Sequence, residues 1–139
     1  ARELREIGLT KSTQAGFDQY LNYGRPAYVQ KVLMPVLEAL SIIHEAGGLA
    51  FVAHPGLNEG VRKVLPYLLE LPFDGLEAYH VSHSPGYTTA LLDLAAEREL
   101  LVTGGSDCHG TIKGAPEMGK VMTPFACYER IVSALPRRG

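Results

Sequence analysis

Leu49-Ala50-Phe51-Val52-Ala53-His54-Pro55-Gly56 decides the fold. Five apolar residues follow Gly47-Gly48 without a polar interruption. A run this short and continuous predicts a strand buried on both faces, the kind found in parallel sheets. Working outward, Pro35 suits the first turn of a helix carrying Leu37, Leu40, Ile43 and His44, which stops at Gly47-Gly48. Downstream, a second helix is expected around Pro66 to Leu71, with Pro66 in its first turn, and then a strand over Gly75 to Tyr79. A third helix over Tyr87 to Arg98 precedes a strand over Leu100 to Thr103, which runs into Gly104-Gly105-Ser106; a closing helix spans Phe125 to Leu135. Helix and short strand thus alternate three times, the pattern of about three parallel βα units in an α/β protein.

Residues 1–30 have a different texture. Thr10 or Ser12 can cap a short helix with Phe17, Tyr20 and Leu21 on one face, ended by Gly24-Arg25-Pro26. Before it, Arg2, Leu4, Arg5 and Ile7 read as a helix already under way. Three parallel strands leave two sheet edges open, and a βα barrel needs about 200 residues or more. The expectation is therefore the later part of a barrel, belonging to a longer protein.

Composition narrows the function. The chain has 139 residues, 13 Lys and Arg against 15 Asp and Glu, and 46% hydrophobic residues. That balance excludes an acidic disordered chain and a polybasic nucleic-acid arm. Two Cys without CxxC spacing fit a reducing, cytoplasmic setting better than a disulfide scaffold. No apolar run approaches the roughly 18 residues of a membrane helix, so no membrane partner is expected. No P-loop, G-x-S-x-G or GxGxxG motif occurs.

Polar residues gather where each strand ends, which is where α/β folds place their chemistry. Strand one ends at His54, strand two at His80 and His83, strand three at Asp107 and His109. In extended backbone, residues i and i+2 share a side, so Asp107 and His109 are expected to aim a carboxylate and an imidazole at one point. With His54 they suit a borderline divalent ion. A D-x-H pair alone is weak evidence, since a capping Asp beside a loop His gives the same letters; three residues at equivalent strand ends carry more. Glu77, inside strand two, needs a partner for its carboxylate, and a hydrogen bond to a ligand histidine would supply one; His80 is read in the same supporting role. His83 in Ser82-His83-Ser84-Pro85 precedes a helix start suited to phosphate, and Lys113 can reach an anionic substrate. The competing reading makes His80 and His83 loop residues that cap the next helix, and Lys113 a solvated lysine. His44 and Cys127 read as structural.

These segments resemble a known family. Ala46 through Gly56, Phe73-Asp74-Gly75-Leu76-Glu77-Ala78-Tyr79-His80, Ser82-His83-Ser84-Pro85 and Val102 through Gly110 are similar, in order, to the PHP (polymerase and histidinol phosphatase) domain. The branch is the stand-alone phosphoesterases of the TrpH and RNase AM type. Phe17 through Val29 resembles the end of the small helical insertion those proteins carry. The resemblance covers about 110 of the 139 residues. It implies a distorted (β/α)7 barrel, with residues 1–30 as the end of the insertion and 31–139 as the C-terminal part of the PHP domain. It further implies a cluster of two or three divalent ions (Mn, Zn or Fe), with His54, Asp107 and His109 among the ligands. The implied substrates are phosphate esters of nucleotides or short oligonucleotides, such as nucleoside 3′,5′-bisphosphates. The family's D-x-H-x-H motif and its mid-chain ligands are absent from this sequence. The isolated chain is therefore expected to be inactive, to need the missing N-terminal half as partner, and to self-associate through its exposed sheet edge. The rivals are a non-catalytic PHP-like interaction module and another (β/α) metallohydrolase that cleaves C–N bonds.

Overall fold

Residues 1–110 and 117–136 are described by a computed structural model. The chain divides into two units, Ala1–Met34 and Pro35–Gly139. The first is helical: α1 (Arg2–Glu6), α2 (Thr13–Gly16) and a π-helical turn over Phe17–Leu21. Ser12 caps α2 by accepting the Ala15 N–H at 3.0 Å, one of the two caps that the sequence offered. The stretch bearing Phe17, Tyr20 and Leu21 continues from α2 as this wider turn instead of opening a helix of its own. Residues 28–35 carry no regular structure.

The larger unit holds α3 (Val36–Glu45), β1 (Phe51–Val52), α4 (Glu59–Leu68), β2 (Gly75–His80), α5 (Pro85–Glu97), β3 (Leu101–Gly105) and α6 (Phe125–Ala134). The strands are parallel in the order β1-β2-β3, as the alternation predicts. One carboxylate sets their amino ends. Asp74 Oδ2 accepts the Ala50 N–H at 2.6 Å and the His44 ring Nε2 at 2.8 Å. The Asp74 backbone N–H reaches Ala50 O, and its carbonyl accepts from Leu101 N–H, both at 2.9 Å. The last turn of α3 and the starts of all three strands thus meet at one residue.

One face of the sheet forms the core. Val52, Leu76, Ala78 and Val102 pack with Leu65 and Leu69 from the α4 side and with Leu91 and Ala95 of α5. Leu76 is 0% exposed and Leu91 1%; burying a side chain of this size contributes about 1.5–3 kcal/mol.

Three elements differ from the sequence expectation. Helix α4 begins seven residues before Pro66, which lies inside it. The start signal is Asn58, whose side chain accepts the Val61 N–H at 3.0 Å. An interior proline lacks the N–H that the turn before it would use, and the helix ends two residues later, at Leu68. Strand β1 pairs over two residues instead of the five-residue apolar run, and β3 continues through Gly105.

The sheet is irregular at one place. Glu77 pairs with Thr103, but the next pair is Tyr79 with Gly104, followed by His80 with Gly105. Ala78 is the extra residue of a bulge. Neighbours in register share a face, so Tyr79 joins the core side with Leu76 and packs against it. Glu77 and His80 then both face the other side. Gly104 is required by this packing, since a Cβ there would strike Tyr79 and Thr123, and a Cβ on Gly105 would lie 3.0 Å from Glu77 Oε1.

Gly75 is equally confined, since a Cβ there would collide with Leu101 O and the Phe51 ring. Gly75→Ala is expected to lower stability by about 1–3 kcal/mol, the usual effect of overpacking, as a lower urea midpoint with an unchanged slope. An unchanged midpoint would contradict the packing of β1 on β2.

Candidate functional site

The carboxyl ends of the three strands lie side by side, and the loop after β1 is held by several side chains. His54 has a positive φ of 31°, a conformation costing roughly 1–3 kcal/mol for a non-glycine residue. Four side chains hold the turn. Glu77 Oε2 accepts the His54 N–H at 2.7 Å. His83 Nε2 accepts the Gly56 N–H at 3.0 Å. Arg62 Nη2 donates to Gly56 O at 3.2 Å, and the Tyr87 hydroxyl donates to Pro55 O at 3.4 Å. Arg62 also stacks on Tyr87, its guanidinium carbon 4.5 Å from the ring centre. Burial pushes the Tyr87 phenol above its usual pKa, partly offset by Arg62, so it remains a donor. Gly56 is closed in by rings: a Cβ there would stand 2.5 Å from His83 Cδ2 and 2.6 Å from Tyr87 Cε1.

His83, expected from the sequence to contact phosphate, has both ring nitrogens engaged with backbone. Its Nδ1–H donates to Ala78 O at 2.8 Å while Nε2 accepts from Gly56. This fixes one neutral tautomer and ties the β1 loop to β2. The cap of α5 is the neighbouring Ser84, which accepts the Tyr87 N–H at 3.2 Å. The sequence suggested a hydrogen bond from Glu77 to a ligand histidine; the bond that Glu77 makes here is to the backbone N–H of His54 and not to a ring.

Four rings run in a row from this loop: His54 to His80 at 5.5 Å, His80 to His83 at 5.2 Å, and His83 to Tyr87 at 5.3 Å. His80 is 5% exposed. Its Nδ1 accepts the Ser82 N–H at 3.1 Å, so the proton of the neutral ring sits on Nε2. Burial lowers its pKa, while the Glu77 carboxylate pulls the other way. His80 Nε2 and His54 Nδ1 are both buried without a hydrogen-bond partner among the described residues. Leaving such a group unsatisfied costs about 1–3 kcal/mol, which a ligand would recover.

After β3, Asp107 also has a positive φ, 48°. The expected extended i, i+2 arrangement is therefore not the geometry here. The two side chains still meet, with Asp107 Oδ1 3.1 Å from His109 Nε2, because the left-handed turn folds one back towards the other. A cavity of about 170 Å³ is lined by this pair together with His80, Ser82, Ser106 and Glu117. Lys113 lies outside the described residues.

Asp107 and His109 are thus paired, while the ring beside His54 is that of His80. The donor types suit a borderline divalent ion, and the orphaned His54 Nδ1 fits such a role. Among the described residues, however, no group of three or more His, Cys, Asp or Glu is arranged to hold a metal. Arg62, Tyr87 and Glu117 were not singled out from the sequence; nothing in their local spacing marks them. His83→Phe should lower stability by about 1–3 kcal/mol in urea titration, because the buried Gly56 N–H loses its acceptor. Wild-type stability in this variant would show that the clamp is not needed.

No protein-family model matches the chain. It is 32% identical over 113 residues to the 5′-3′ exoribonuclease Rnm of Escherichia coli, a match covering 78% of this chain and 39% of that protein. It is 32% identical over 124 residues to a 3′,5′-nucleoside bisphosphate phosphatase of Chromobacterium violaceum, covering 86% and 43%. Among solved structures, a candidate metal-dependent phosphoesterase of Bifidobacterium adolescentis superposes with a TM-score of 0.72 at 26% identity, covering 97% of this chain and 49% of that one. A second, described as an amidohydrolase of Chromobacterium violaceum with bound sulfate and no metal, gives 0.65 at 25% identity, covering 98% and 50%. The chain spans about half or less of the length of these proteins. In sequence and fold it is similar to phosphoesterases.

Proposed function

We propose that this chain supplies the carboxyl-end loops of a PHP-type, metal-dependent phosphoesterase acting on phosphate esters of nucleotides or short oligonucleotides. The observation that carries the reading is the row of rings at the strand ends: His80 stands 5.5 Å from His54 and lines the cavity of Asp107 and His109, and the buried His54 Nδ1 and His80 Nε2 have no hydrogen-bond partner among the described residues. The names of the relatives agree with it. A bisphosphate phosphatase and an exoribonuclease both cleave phosphate esters, and a structural neighbour binds sulfate, an oxyanion of phosphate shape, without metal.

In this reading His54, Asp107 and His109 are ligands to divalent ions, and Glu77 and His83 set the position of the His54 loop. Bound metal would neutralise charge on the phosphate and activate water. In this reading the remaining ligands belong to a further part of the barrel, as the resemblance to the PHP domain implies. Among the described residues β1 is an edge strand, and an open edge of this kind invites pairing with further strands or a second copy. Residues 1–139 alone are then inactive.

The test is phosphate release from a nucleoside 3′,5′-bisphosphate with added Mn²⁺. It should be absent for residues 1–139 and present for the longer protein that carries them. His54→Ala or Asp107→Ala in that protein should reduce release by more than about 100-fold, beyond the range usual for groups behind the ligands. Robust turnover by the isolated chain, or unchanged release in both variants, would contradict the reading. Amide hydrolysis in place of phosphate release would favour the C–N-cleaving alternative that the second structural neighbour's description raises. Neither activity would favour a non-catalytic module.

A further inference from the structure

The histidine beside His54 has the appearance of another metal ligand, since it sits in a cluster with Glu77, His54 and Asp107 as its electrostatic neighbours. Its hydrogen bonding indicates otherwise. A metal ligand needs a lone pair, and the lone pair of the neutral His80 ring is at Nδ1, already held by the Ser82 N–H at 3.1 Å. What remains is Nε2–H, a donor, buried and without an acceptor among the described residues. The bulge in β2 brings His80 to the same side as Glu77, and His80 lines one cavity with the hydroxyl-bearing Ser82 and Ser106. Of the two carboxylates in that lining, Asp107 and Glu117, Asp107 is paired with His109.

We propose that His80 is a neutral Nε2–H donor that hydrogen-bonds an oxygen of the phosphoryl group taken by this site. The assignment rests on the phosphate-ester reading above and deepens it by separating the histidines into two kinds. His83 is a structural clamp in the Nδ1–H tautomer, and His80 is a binding residue in the Nε2–H tautomer. A neutral donor of this sort orients an oxyanion in a water-poor pocket without adding a charge that would have to be desolvated.

Long-range ¹H–¹⁵N correlation of ¹⁵N-histidine-labelled protein tests both parts, with inorganic phosphate as the probe. The unmutated protein should show His80 as the Nε2–H and His83 as the Nδ1–H tautomer, and the His80 Nε2 resonance should move saturably with phosphate. His80→Phe should weaken phosphate binding at least about tenfold, whereas His80→Gln, which keeps an N–H at that position, should stay within about threefold. An Nδ1–H tautomer or an imidazolium at His80 overturns the proposal. So does phosphate binding that leaves its resonance unmoved, or a complete lack of saturable binding. Phosphate release by the unmutated longer protein, measured separately, shows whether His80's role falls alone or with the phosphoesterase reading.

Discussion

In a regular strand, residues three apart point to opposite faces, so Glu77 and His80 would stand on opposite sides of β2. The extra residue at Ala78 cancels that parity. Leu76, Ala78 and Tyr79 stay with the hydrophobic core, while Glu77 reaches the turn after β1 and His80 reaches the cavity after β3. The central strand thereby serves both neighbours at once, and the rest of the site depends on this.

The bonds around the β1 loop explain how a strained backbone persists. His54 and Asp107 both have positive φ, where the Cβ of a non-glycine residue crowds the backbone. At His54 the strain is offset by a carboxylate, an imidazole, a guanidinium and a phenol, each bonded to a different backbone group of residues 54–56. Strain held in this over-determined way is a feature of binding sites, where the geometry has to exist before the ligand arrives. Asp74 does the opposite task at the other end of the sheet, joining α3 to the three strand starts without strain.

Much of the fold was legible because burial on both faces leaves short apolar runs in the sequence. Such runs located β1 and β3, the alternating stretch Gly75 to Tyr79 located β2, and α3, α5 and α6 were placed within a few residues. Helix α4 was misplaced because Pro66 looks like a helix start, whereas the true start, Asn58, follows Leu57 in a stretch with no apolar periodicity. The bulge was invisible. Gly75-Leu76-Glu77-Ala78-Tyr79-His80 reads as plain alternation, and only the pairing with Gly104 and Gly105 shows the break. That single hidden irregularity is why strand-end position pointed to His54 and His80 without revealing which of their nitrogens lack a partner among the described residues.

The β1 loop is held by protein side chains and needs no ligand to form. Amide hydrogen exchange of the ligand-free protein tests this directly. The His54 and Gly56 N–H groups should exchange at least about 100-fold more slowly than those of the irregular segment 29–34. Exchange of both at the rate of that segment would contradict it.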